Sequence, residues 1–194
     1  MKIRVVQKQD AAQISEIYSP YVQNTTITFE TESPDAEEFC RRIEKVTRDL
    51  PWLVCEEKGK ILGYAYASHY HERAAYAWDA ECSVYVRQEM CAKGIGSALY
   101  RTLLQILRVQ GYYTAYALIS VPNKPSESMH RKLGFQSQGI WKNTGFKLGR
   151  WCNLECLAVV LQSYAKLPKR VPRPFTECFP DGKLPNSIFF TPSC

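Results

Sequence analysis

Alternation of apolar and polar side chains over residues 2–6 predicts a first strand. The period then changes. Ile14, Ile17, Tyr18 and Tyr21 fall on one face of a helix opened by Asp10, with Gln13 in capping-box position. Pro20 is expected to end or kink that helix. Residues 25–29 are β-prone. Ser33-Pro34 reads as cap and first-turn proline of a second helix, with Phe39, Ile43 and Val46 inward and Pro51 past its end. Residues 52–57 and 61–69 read as strands joined by a hairpin at Lys58-Gly59-Lys60. A strand over 76–86 leads into a glycine turn, after which Leu99, Leu103, Ile106 and Leu107 mark a long helix closed by Gly111. Residues 113–119 form the next strand, 126–133 a short helix ended by Gly134, and 135–146 and 150–160 the last strands. The order βααβββαβαββ mixes antiparallel hairpins with one strand–helix–strand crossover. It implies an α+β class with a mixed, mostly antiparallel central sheet flanked by helices.

From Pro168 onward the periodicity stops and six prolines fall within 27 residues. The 194 residues therefore divide into a domain over 1–165 and a Pro-rich C-terminal extension over 166–194, which Phe175, Phe179, Phe189 and Phe190 can pin to a surface. No leader pattern opens the chain, and no apolar run approaches the ~20 residues of a membrane span, so a cytoplasmic protein without membrane contact is expected. The eight cysteines are scattered, no Cys-x-x-Cys occurs, and no histidine accompanies Cys152 and Cys156. Buried thiols are expected, with no metal. Half of the net charge of +6 lies in the last 29 residues, and no basic stripe with interleaved aromatics appears elsewhere, so nucleic acid is not an expected partner. A mild positive surplus equally suits a polyanionic small ligand.

The stretch Cys91-Ala92-Lys93-Gly94-Ile95-Gly96 sits between the strand Glu81–Val86 and the long helix. A glycine turn opening a helix aims free N–H groups and the positive dipole end outward, which suits a phosphate. It lacks the Lys-Ser/Thr of a P-loop and the third glycine of a dinucleotide fingerprint, and by itself it equally reads as plain turn chemistry.

The surrounding residues narrow this. Glu81-x-Ser83-Val84-Tyr85-Val86, then Pro122-Asn123-x-x-Ser126-x-x-x-His130-x-x-x-Gly134-Phe135, then Gly145-Phe146-Lys147-x-Gly149-x-Trp151, resemble the GNAT acetyltransferase superfamily, in particular its phosphinothricin acetyltransferase branch. The resemblance spans about residues 2 to 161 and leaves the extension outside. It implies a GNAT fold with a strand splay at the cofactor site. The implied reaction moves an acetyl group from acetyl-CoA directly to the amine of a small amino-acid-like acceptor of the phosphinothricin, methionine sulfoximine or methionine sulfone class. A homodimer is also implied.

Carried over residue by residue, the resemblance implies that the backbone of Val84, Tyr85 and Val86 binds the pantetheine arm and that the amides around Cys91, Ala92, Lys93, Gly94, Ile95, Gly96 and Ser97 bind the pyrophosphate. Asn123 and Ser126 match cofactor-side positions. Glu81 matches the base, and His130 stands where many members carry a tyrosine, as an acid for the departing thiolate. Phe29, Arg73, Tyr76, Lys147 and Trp151 match acceptor-side positions, with Arg73 suited to a carboxylate. Phe29 and Trp151 are expected as wall or core. Cys91 is a departure, because the superfamily usually places Arg or Gln there.

Each residue also has a plainer reading: Glu81 as a solvated strand carboxylate, His130 as a structural histidine, Arg73 as an exposed loop arginine and Asn123 as a turn residue. At the level of function the rivals are an acetyltransferase for peptide N-termini or another amine, and an acyl-CoA-binding module without turnover. Nucleic-acid binding through the basic tail is a third.

Overall fold

A computed structural model describes residues 1–165 and 167–185. The strands are β1 Lys2–Val5, β2 Trp52–Glu57, β3 Lys60–His69, β4 Asp79–Val86, β5 Thr114–Val121, β6 Gln136–Lys147 and β7 Arg150–Val160. They form one sheet in the order β1-β2-β3-β4-β5-β7-β6, antiparallel at every step except the parallel pair β4–β5. The helices are α1 Ala11–Asn24, α2 Ala36–Val46, α3 Ile95–Gln110, α4 Lys124–Lys132 and a single turn, α5 Phe175–Cys178. The expected α+β architecture is thus present.

The period of two along the strands divides the interior into two cores. Leu53, Cys55, Ala65, Ala67, Ala80 and Cys82 face α3 and bury Leu99, Leu103, Ile106 and Leu107. Trp52, Val54 and Tyr64 face the other way and bury Ile14, Ile17, Tyr18, Phe39 and Ile43 of α1 and α2. Each fully buried side chain of this size stabilises by about 1.5–3 kcal/mol, so these two stripes set the register.

Several local expectations are corrected. Pro20 does not end α1, which runs on to Asn24 because Ile17, Tyr18, Tyr21 and Val22 are all buried along it. That packing outweighs the loss of one helical hydrogen bond. Asp10 does not cap α1 through its side chain. Its carboxylate accepts from the Gln7 amide at 2.8 Å and pairs with Arg4 at 2.7 Å, while Gln13 spans to the β2–β3 hairpin at Ile61. Residues 25–29 form a loop, whose Thr25 and Thr28 hydroxyls are engaged by Tyr21 and Tyr18. The α2 cap is Asp35, accepting from the Glu38 amide at 2.8 Å, so the helix begins two residues after Pro34. Residues 74–76 are a 3-10 turn, and β4 begins at Asp79.

The extension folds back. Phe175 and Phe179 are buried in the α3-side core. Gln110, near the end of α3, donates to Asp49 O at 2.7 Å and Arg173 O at 2.8 Å, and the Phe175 amide donates to Asp49 O at 2.8 Å. Phe189 and Phe190 lie outside the described residues. Among the described residues no helix is long and apolar enough to cross a membrane.

Candidate active site

The parallel pair β4–β5 is short. Its register runs only from Asp79↔Thr114 to Glu81↔Tyr116. Beyond that point β4 stays with β3 as far as Val86↔Gly63, and β5 stays with β7 as far as Val121↔Asn153. The two strands therefore diverge. The cleft between them is lined by Ser83, Val84 and Tyr85 on one wall, Ala117 and Ile119 on the other, and His130 behind. Tyr100 donates to the Cys82 carbonyl at 2.7 Å and Tyr21 donates to the Val86 carbonyl. Between these two, the inner edge of β4 at Val84 has no ladder partner on the β5 side, so its polar groups are available to a ligand.

At the wide end of the cleft the chain turns into α3. Ala92 and Gly94 adopt left-handed backbone at φ 63° and 78°, a conformation that costs glycine little. No side chain caps α3. Among the described residues the amides of Ala92, Lys93, Gly94, Ile95, Gly96 and Ser97 meet no acceptor, and the ladder starts with Ala98 donating to Gly94 O at 3.0 Å. Unspent donors at a helix N-terminus are chemically suited to an anion. The Cys91 amide is not one of them, donating to Gln88 O at 3.3 Å, and the exposed Cys91 thiol lies 3.8 Å from the Tyr21 hydroxyl. Among the described residues Lys93 donates to Met90 Sδ at 3.4 Å and makes no ion pair.

Glu81 occupies the last paired position before the divergence. Because Ala80 and Cys82 face α3, strand alternation turns Glu81 to the opposite face, with Ser68 directly across on β3. Burial pushes its carboxyl above the ordinary range, and the nearby His71 opposes that shift. On this face lies a cavity of about 680 Å³ with Tyr18, Trp52, Tyr64, Tyr66, Ser68 and Tyr70 in its lining. Trp52 stacks on Tyr66 at 4.5 Å, and Tyr70 stacks on Tyr116 at 4.1 Å. Tyr76 joins the rim through Tyr70 and His71. Arg73 is exposed on the same loop and makes no ion pair among the described residues.

His130 is 3% exposed. Its Nδ1 donates to the Ser126 carbonyl at 2.8 Å, which leaves the buried Nε2 as an acceptor without a partner among the described residues, and the residue lines the cleft. Burial lowers its pKa, so the ring is neutral at pH 7. A neutral imidazole whose one proton is committed to Ser126 is poorly set up as an acid. Tyr100 and Phe135 hold it edge-on at 4.8 and 5.0 Å. Asn123 caps α4 through Ser126 N at 3.3 Å, and both residues also line the cleft.

The other acceptor-side candidates lie elsewhere. Phe29 is half-buried against β6, where a Cβ on Gly145 would fall 2.5 Å from its ring. Lys147 is 5% exposed and donates to the Thr28 carbonyl at 2.7 Å, tying β6 to the 25–30 loop. Burial lowers its pKa. Trp151, expected as wall or core, is 63% exposed, and its ring meets that of the equally open Phe146 at 5.4 Å. It sits on the outer hairpin, whose far strand is the sheet edge. Tyr66, Tyr70, His71 and Tyr116 carry no motif that singles them out in the sequence, although Tyr64, Tyr66, Ser68 and Tyr70 recur at strand period.

Comparison with known proteins fits this geometry. Residues 3–154 match the family model described as an acetyltransferase (GNAT) domain. A phosphinothricin N-acetyltransferase of Alcaligenes faecalis is 40% identical over 153 residues, covering 77% of each chain. A methionine sulfoximine/methionine sulfone acetyltransferase of Salmonella typhimurium is 31% identical, covering 85% of this chain and 97% of the relative. A phosphinothricin acetyltransferase of Sinorhizobium meliloti, crystallised in complex with AcCoA, superposes with a TM-score of 0.85 at 35% identity, over 90% of this chain and 96% of that one. A splayed parallel pair, an uncapped helix N-terminus at its mouth and a match over most of the folded residues place this chain in the GNAT acetyltransferase family.

Proposed function

We propose that this chain acetylates the α-amine of a small amino acid of the phosphinothricin, methionine sulfoximine or methionine sulfone class, directly from acetyl-CoA in a ternary complex. The observation that carries this reading is the position of Glu81. It stands where the strands part, on the sheet face that carries the aromatic chamber, and Arg73, without an ion pair among the described residues, lines the adjoining cavity. The names of the relatives supply the acceptor class.

Acetyl-CoA supplies an acetyl group activated as a thioester. The β4 edge over Val84, Tyr85 and Val86, open at Val84, and the amides from Ala92 to Ser97 hold and orient it, with Asn123 and Ser126 on the other bank. Glu81 removes a proton from the acceptor ammonium, directly or through a water, and burial of its carboxyl suits that exchange. Arg73 holds the acceptor carboxylate, and Tyr66, Tyr70, Tyr76 and Tyr116 exclude bulk water. His130 Nε2 serves as a hydrogen-bond acceptor, and the thiolate takes up the proton released from the amine. Direct transfer needs no cysteine nucleophile, and burial pushes the Cys82 thiol up, away from such a role. All seven described cysteines are free, in keeping with a reducing cytoplasmic compartment. Initial rates with acetyl-CoA and L-methionine sulfone varied together should give intersecting reciprocal plots and N-acetylated product. Parallel plots would overturn direct transfer, and bound acetyl-CoA without product would leave only a binding module.

Cys91 replaces a side chain that elsewhere meets the cofactor. Cys91→Arg is expected to tighten acetyl-CoA binding by about tenfold, the scale of one charge-assisted hydrogen bond, as read by calorimetry. An unchanged affinity would mean that the backbone cradle already saturates the site.

The homodimer belongs to the same reading. Ile140, Trp141, Phe146, Leu148 and Trp151 are each 45–63% exposed on the β6–β7 hairpin, and β6 is a sheet edge. Such a patch on an unpaired edge calls for cover. Light scattering should return about twice the 22.3 kDa chain mass, and Trp151→Glu should return it to one.

A further inference from the structure

Next to the chamber assigned to the acceptor lies a second cavity, of about 510 Å³. The two share Asp49, His69, His71 and Glu72, so they are contiguous. Its far wall is the segment Val171-Pro172-Arg173-Pro174 of the C-terminal extension, and its near rim is Arg73. Ala74, Ala77 and Tyr112 add apolar surface to that of Val171, Pro172 and Pro174, while the shared carboxylates and histidines and Arg173 keep part of the lining polar. The wall is fixed in place. The Trp78 indole N–H donates to Arg170 O at 3.1 Å, and the Arg173 amide donates to Gln110 O at 2.8 Å. Just beyond the wall, buried Phe175 and Phe179 anchor the chain to the core. The family match ends at residue 154, so this wall belongs to the chain and not to the matched domain.

We propose that the extension builds a second acceptor subsite, which takes the alkyl end of an amino-acid side chain longer than that of methionine sulfone. The inference rests on the acceptor reading given under the proposed function. With the acceptor amine at Glu81 and its carboxylate on Arg73, the adjoining cavity between the 70–78 loop and the extension offers the side chain room to extend. Apolar surface there rewards added methylenes, by about threefold to fourfold in binding for each one buried.

The test uses the full chain and a series of S-alkyl homocysteine sulfones with methyl, ethyl and n-butyl groups. Val171 is 58% exposed, so Val171→Trp fills the cavity without disturbing the core. The wild type should acetylate the butyl compound with kcat/KM at least equal to that for the methyl compound. Val171→Trp should lower the butyl value by about tenfold or more, while the methyl value and the KM for acetyl-CoA stay within about twofold. A butyl compound about a hundredfold poorer than methyl with the wild type, or equal losses across the series in the variant, would overturn the subsite alone. No turnover of any sulfone by the wild type would overturn the acceptor reading together with it.

Discussion

Glu81→Gln is expected to lower kcat by about 10²–10³-fold with little change in acetyl-CoA binding, since removing a positioned general base costs on this scale. The variant keeps the shape and polarity of the side chain, so the sheet register at Ser68↔Glu81 should survive. The pH profile sharpens the assignment. A base works only when deprotonated, so wild-type kcat/KM should fall as pH drops through the Glu81 pKa. Burial raises that pKa, which places the acidic limb above the ordinary glutamate value of about 4.3. Glu81→Gln should lose the limb as well as the rate. Wild-type turnover at neutral pH in the variant would reject Glu81 as the base and leave it a strand carboxylate with no part in the chemistry.

The second large effect is at Arg73. Its guanidinium is exposed on the loop before β4 and makes no ion pair among the described residues, so removing it breaks nothing that holds the fold. If it binds the acceptor carboxylate, Arg73→Ala should cut kcat/KM for a free amino acid by about 10–100-fold, equivalent to a lost charge-assisted pair of ~1.5–3 kcal/mol. The loss should sit mainly in KM and leave acetyl-CoA binding alone. With the acceptor presented as its methyl ester, wild type and variant should differ little. Equal losses on acid and ester would mean that Arg73 shapes the loop and does not read the carboxylate. A variant indifferent to both would favour a peptide acceptor, which carries no carboxylate beside its amine.

Much of the fold and site is readable from the residues, and the exceptions have physical causes. Strands such as β3 and helices such as α3 announce themselves because one period runs along a buried face. The 25–29 segment misleads because its β-branched residues are used for side-chain bonds to α1, with Thr28 supplying its hydroxyl to Tyr18 and its carbonyl to Lys147. Glu81 can be picked out by motif, but the chamber on its face of the sheet is assembled from β3, β4, β5 and the 70–78 loop, and no local pattern connects Tyr70 with Tyr116. Lys147 and Trp151 match by position, yet the first is spent on a loop carbonyl and the second points outward, so their matched positions do not translate into contacts within one chain. In the extension the anchoring of Phe175 and Phe179 is legible, but its ties to Trp78, Gln110 and Asp49 run through backbone carbonyls that composition cannot reveal.

Acetylation of a small amino acid, and not of a chain terminus, is tested most directly by one competition. The protein is incubated with acetyl-CoA and equal amounts of phosphinothricin, methionine sulfoximine, methionine sulfone, unmodified amino acids and a peptide with a free N-terminus, and products are read by mass spectrometry. Acetyl groups confined to the first three compounds are the predicted result. Acetylated peptide as the main product would contradict it.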